Sequence, residues 1–198
     1  MRGQHRPLRR EETEVEEVLK ECERKLKKAV EAVKRDLDKV RTGRASVALL
    51  DDIRVEYYGT PTPINQLATI SIPESRLIVI QPWDSSLLPE IEKAILRSDL
   101  GLTPSNDGKV IRISIPRLTE ERRQELVKVV KKMGEGGKVS VRNIRRDAIE
   151  QVRKMEKGKE ISKDDLHHYQ NEIQKLTDRF VERIEELVTA KEKEVLEI

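Results

Sequence analysis

The chain has 198 residues, of which 39% are charged and only 3% aromatic, with a formal net charge of +3. That length leaves room for one or two domains, and the composition argues against a broad compact core and for long charged helices with a narrow apolar seam. The single cysteine, Cys22, excludes an internal disulfide and fits a reducing cytoplasm, and no apolar run approaches the roughly 18 residues of a membrane span.

Residues 1–13, which begin MRGQHRPLRREE, lack the apolar centre of a secretory signal and any apolar period. They read as a disordered extension. From 15 to 40, Val15, Leu19, Cys22, Leu26, Ala29, Val33, Leu37 and Val40 recur in steps of three and four. That spacing is the stripe of an amphipathic helix, roughly 39 Å long at 1.5 Å per residue. Thr42 and Gly43 close it, because glycine readily takes the left-handed conformation that follows a helix.

The pattern changes at residue 44. Ile53, Val55 and Tyr57 alternate, Gly59-Thr60-Pro61-Thr62-Pro63 reads as a turn, and Ala68, Ile70 and Ile72 alternate again, which predicts strand, turn, strand. RLIVIQPW (76–83) is a further strand. SSLLPEIEKAILRSDLG (85–101) is a short helix with apolar Leu88, Ile91 and Ile95, closed by Gly101, and GKVIRISIP (108–116) is a last strand. Residues 44–117 thus form a small β/α/β module in which eight Lys/Arg meet nine Asp/Glu, a net of −1.

Helix resumes after Pro116, with Thr119 as N-cap and Glu120 and Glu121 in the first turn. Its seam runs through Leu126, Val130, Met133, Val141, Ile144, Ala148, Val152 and Met155. Gly134, Gly136 and Gly137 interrupt it, each costing up to about 1 kcal/mol relative to alanine. The spacing still predicts one helix, bent there and ended by Gly158. Ser162 and Asp165 resemble a capping box for a final helix on Leu166, Tyr169, Ile173, Leu176, Phe180, Ile184 and Leu187.

The connection at 158–162 is short, so the last two helices run antiparallel. Three long one-stripe helices predict a bundle made of residues 14–43 and 118–198, with the 44–117 module inserted. The fold class is α+β. Two chain crossings join the parts, at Thr42, Gly43, Arg44 and Ala45 and at Pro116, Arg117 and Leu118, and together they form a hinge.

Catalytic chemistry has little to stand on. There is no G-x-x-x-x-G-K-[ST] loop, no G-x-G-x-x-G after a strand and no H-E-x-x-H. Cys22 lies on the apolar stripe and reads as core. His167 and His168 project about 100° apart on a helix and lack companion ligands, so no metal site, catalytic residue or cofactor is assigned.

The charge distribution is more informative. Residues 138–159 carry eight Lys/Arg against three acids, and 160–198 carry six against eleven, so neighbouring segments differ in sign at +5 and −5. Arg142, Arg145, Arg146 and Arg153 fall within four turns. Measured from Val141, three of them cluster near about 100–140° and Arg145 lies near about 40°, at the seam edge. They could face the acidic last helix, or they could grip phosphate. Exposed pairs contribute only about 0.2–1 kcal/mol each, whereas the guanidinium fork suits phosphate oxygens.

Six blocks carry a resemblance: VRTGRAS (40–46), VEYYGTPTPINQLATISI (55–72), SDLGLTPSNDG (98–108), PRLTEERRQELVK (116–128), VRNIRRDA (141–148) and EIQKLTD (172–178). In order, over about residues 15–198, they resemble the bacterial ribosome recycling factor family. The resemblance implies an L-shaped, hinged protein that binds the 70S ribosome, laying its bundle on large-subunit ribosomal RNA. It implies action with elongation factor G and GTP to separate the subunits, without hydrolysis by the chain itself, in the cytoplasm and as a monomer. Arg145 stands where the family has an arginine important for RNA binding. Val47 departs from a frequent proline, and the glycines at 134, 136 and 137 replace a more helix-friendly stretch. A helical adaptor that pairs its arginines internally, and an enzyme working through the inserted module, are the rival readings.

Overall fold

The computed structural model describes residues 8–197. The chain forms two compact units. One is Asp38–Leu126, and the other takes the described residues up to Leu37 and from Val127 onward.

In the first unit, β1 (Arg54–Tyr57) and β2 (Thr60–Pro63) form a two-stranded antiparallel ribbon. β3 (Ala68–Glu74), β4 (Leu77–Pro82), β5 (Pro104–Asn106) and β6 (Ile111–Ser114) form an antiparallel sheet in the order β3-β4-β6-β5. The helix α2 (Leu88–Arg97) buries Leu88, Ile91 and Ile95, the three residues its spacing predicts. The register sets Ile78 opposite Ile113 and Ile80 opposite Ile111, and all four are fully buried. Burying each such side chain contributes about 1.5–3 kcal/mol, so these cross-strand pairs are the centre of the unit's core.

Residues 60–63, expected as a turn, are a strand. The reversal is confined to Tyr58 and Gly59, both with positive φ (47° and 76°), the two-residue hairpin loop whose twist matches that of the strands. Tyr57 then pairs with Thr60, Glu56 with Pro61, Val55 with Thr62 and Arg54 with Pro63. The residues flanking a two-residue loop are a hydrogen-bonded pair, so Thr60 and Thr62 face β1. Pro61 and Pro63, which have no N–H to donate, fall on the outer edge. β5 was also not anticipated. Its connection to β6 is held by Asp107, whose carboxylate accepts from the Lys109 and Val110 amides at 2.9 Å and from Arg112. These bonds hold the acid well below the usual carboxylate range.

The second unit is built from α1 (Leu8–Asp38) up to Leu37, α3 (Glu120–Lys157) from Val127 onward, and α4 (Lys163–Leu196). The helical backbone of α1 starts at Leu8, so it takes in residues 8–13 of the expected extension, a run rich in strong helix formers. Residues 1–7 lie outside the described residues. α1 stops at Asp38, well before Gly43. That glycine does have positive φ (77°), but its bare Cα faces the Leu118 side chain, where an added Cβ would lie 3.1 Å from Cγ. Val30 is buried while Ala29 is half-buried, a one-residue shift in the predicted stripe.

α3 is continuous through its glycines. Gly134 and Gly137 are contact points: a Cβ on Gly134 would lie 2.4 Å from Val188 Cγ2, and one on Gly137 would lie 2.4 Å from Val33 Cγ2 and 3.3 Å from Ile184 Cδ1. The helix therefore tolerates weak formers there because neighbouring side chains occupy the space that a methyl group would need. As α3 advances from Gly134 to Arg145, its partners on α4 recede from Val188 to Gln174, so the two helices are antiparallel.

Ser162 caps α4 in a full capping box: its hydroxyl accepts from the Asp165 amide at 3.1 Å, and the Asp165 carboxylate accepts from the Ser162 amide at 3.0 Å. Hydrogen bonds from Ser162 hold the Asp165 carboxyl below its ordinary value. A depressed carboxylate pKa adds stability above its unfolded value, near about 3.9, and loses it as pH falls through the folded value. Ser162→Ala is expected to cost about 1 kcal/mol at pH 7, and the difference from the parent in urea melts should shrink towards pH 3. A difference that is constant with pH would mean that Asp165 plays no part.

Candidate nucleic-acid interface

The predicted arginines share one surface of α3. Val139, Arg142, Asn143, Arg145, Arg146, Ile149, Glu150 and Arg153 line an open groove of about 650 Å³. Their three- and four-residue spacing is what a single helix face dictates. Val139 is half exposed (50%), so the groove combines four fixed positive charges with apolar patches. Its one acid, Glu150, is already engaged with Lys154 at 3.2 Å.

The arginines do not form a seam against the acidic last helix. Arg142 and Arg153 are exposed, and neither makes an ion pair among the described residues. Arg146 donates to the Asn143 carboxamide oxygen one turn earlier. Charge crosses from α3 to α4 elsewhere, where Lys138 Nζ lies 2.8 Å from Glu185 and 3.2 Å from Glu135. Hydrogen bonds to Glu185 and then Glu135 raise the lysine above its ordinary value.

Arg145 differs from the other three. It is half-buried, and its Nη1 donates to Gln174 Oε1 on α4 at 3.0 Å. Gln174 Nε2 in turn donates to Asp178 at 2.7 Å. The Nε of Arg145 is buried with no hydrogen-bond partner. An unpaired buried donor costs about 1–3 kcal/mol. The neighbour that holds Arg145 is therefore a neutral amide, where the sequence allowed for a carboxylate.

The residues expected at the hinge, Thr42, Gly43, Arg44, Ala45, Pro116, Arg117 and Leu118, all lie inside the Asp38–Leu126 unit. Gly43, Arg44, Pro116 and Leu118 line a cavity of about 290 Å³ there with Arg41 and Leu100. Arg41 donates to the Leu100 carbonyl at 3.1 Å. Cys22 is buried, and burial pushes its thiol up to about 11, which keeps it protonated and unreactive at neutral pH. His167 and His168 are exposed. Among the described residues no group of three His, Cys, Asp or Glu could hold a metal ion, and no helix is long and apolar enough to cross a membrane.

The family model described as ribosome recycling factor matches residues 33–196. The chain belongs to the ribosome recycling factor family. The ribosome-recycling factor of Oleidesulfovibrio alaskensis is 60% identical over 181 residues, covering 91% of this chain and 98% of that protein. The one from Geobacillus kaustophilus is 57% identical over 182 residues, covering 92% and 98%. A solution structure of a ribosome recycling factor superposes with a TM-score of 0.76 at 48% identity, covering 93% of this chain and 98% of its own. A second structure, of the T. thermophilus ribosome recycling factor with E. coli elongation factor G on the E. coli post-termination complex, gives a TM-score of 0.65 at 44% identity, covering 92% and 99%. The α+β class expected from the pattern is that of these recycling-factor structures. Gln174 and Asp178 lie in the EIQKLTD block, but no pattern of spacing or charge assigns them a role. Which residue of α4 meets Arg145 depends on the relative rotation of two helices.

Proposed function

We propose that this chain is a translation factor that, with elongation factor G and GTP, takes the post-termination ribosome apart into subunits, holding large-subunit ribosomal RNA through the α3 groove. Arg142, Arg145, Arg146 and Arg153 make the phosphate contacts. The chain itself breaks no bond and needs no cofactor or metal. It works as a cytoplasmic monomer, with the 42–45 and 116–118 segments yielding when elongation factor G acts. The observation that carries the site is the set of arginines left without carboxylate partners on a face that also offers apolar surface. A relative 44% identical to it sits with elongation factor G on the post-termination complex, which supports the partner.

The test is splitting of purified 70S ribosomes followed by light scattering. Dissociation is expected only when the chain, elongation factor G and GTP are all present. Binding to large subunits should weaken steeply with salt, because phosphate contacts release counterions. Salt-independent binding with normal splitting would favour the adaptor reading. Turnover of a small substrate without ribosomes would favour the enzyme reading.

A further inference from the structure

The Arg145–Gln174–Asp178 relay has an order that matters electrostatically. Arginine only donates and a carboxylate only accepts, so Gln174 can satisfy both neighbours in one orientation only, with Oε1 towards Arg145 and Nε2 towards Asp178. The bonds observed are those two, at 3.0 and 2.7 Å. A neutral amide is thus interposed between a cation and an anion. Had the carboxylate been the residue in contact, it would have formed the charge-assisted pair that arginine favours and competed directly with a phosphate for the same donors.

We infer that Gln174 is a positioning residue for Arg145: it fixes the guanidinium while holding the Asp178 carboxylate one side chain away, so that Arg145 lines the groove with its charge uncompensated. The inference rests on the reading of the α3 groove as an RNA-binding face. Gln174 touches no RNA in this scheme. It acts by limiting where the half-buried arginine can point, and among the described residues the guanidinium makes no ion pair, its hydrogen bond being to the neutral Gln174 amide.

Exchanging the two groups tests this without altering net charge. In the double variant Gln174→Glu, Asp178→Asn, the carboxylate meets Arg145 directly, and the new amide can still donate to it from position 178. The variant should melt within about 2 °C of the parent or above it. Its binding to purified large subunits should be about tenfold weaker, with the slope of log affinity against log salt reduced by about one. A merely structural glutamine would lose stability and leave the slope alone. Equal affinity and slope in the folded double variant would overturn the inference.

Gln174→Met guards against a misfolded exchange variant. It removes the tether at similar length, so affinity should fall about threefold with the slope unchanged, and unaltered affinity would count against the inference. Arg145→Ala is measured beside them. If it binds like the parent, the RNA-face reading itself fails. If it binds weakly while both Gln174 variants bind normally, only the positioning role falls.

Discussion

Gly137→Ala is expected to lower the melting temperature by several degrees, while Gly136→Ala raises it by about 2–4 °C. Helix propensity alone gives both changes the same sign, since alanine is favoured over glycine by up to about 1 kcal/mol in a helix interior. Space separates them. A Cβ at 136 meets nothing within 4 Å, whereas one at 137 would lie 2.4 Å from Val33 Cγ2 and 3.3 Å from Ile184 Cδ1. Val33 is buried, and a β-branched side chain has little rotamer freedom with which to retreat. Overpacking of this kind costs about 1–3 kcal/mol, enough to outweigh the propensity gain. Thermal melts of the two variants beside the parent decide the matter. Two upward shifts would mean that α1 and α4 can move away freely and that the close approach at Gly137 stabilises nothing.

Arg145→Ala should weaken large-subunit binding at least about tenfold, which is about 1.4 kcal/mol, with a melting shift of only a few degrees. The structural loss is small because its observed bond, to Gln174, is to a neutral group, and such a bond contributes about 0.5–1.5 kcal/mol net. Removing the buried Nε, which has no partner, also removes a penalty. The binding loss is larger because the arginine is already held at the groove and loses little rotamer freedom on meeting a phosphate. Arg145→Lys should recover little, since an ammonium lacks the planar fork that can bond Gln174 and a phosphate together. Pelleting with large subunits at several salt concentrations, paired with thermal melts, checks both halves. A variant that melts far lower, yet whose folded fraction binds normally, would make Arg145 a structural residue.

Legibility followed the range of the forces involved. The one-stripe helices, the capping box at Ser162 and Asp165 and the alternation of β4 and β6 were readable because each is decided within a few residues by spacing or a local hydrogen bond. β2 was misread because Pro61 and Pro63 look like breakers until a partner strand shows that they occupy its outer edge. The glycines of α3 read as interruptions for the same reason, since their value lies in Val33, Ile184 and Val188, remote in sequence. At the site, the arginine cluster was visible as composition. Whether it was neutralised was not, because the side chain opposite Arg145 could equally have been an acid of the strongly acidic last segment.

The prolines of β2 also govern what the ribbon can recruit. A two-stranded ribbon ordinarily offers passing chains a row of open amide donors, and growth by strand addition starts from such rows. Here the positions facing outward from β2 belong to Pro61 and Pro63, which offer carbonyls but no N–H. A further strand laid against that side would find half of its ladder missing. That side of the hairpin therefore lacks the row of amide donors from which strand addition, and with it aggregation, would start.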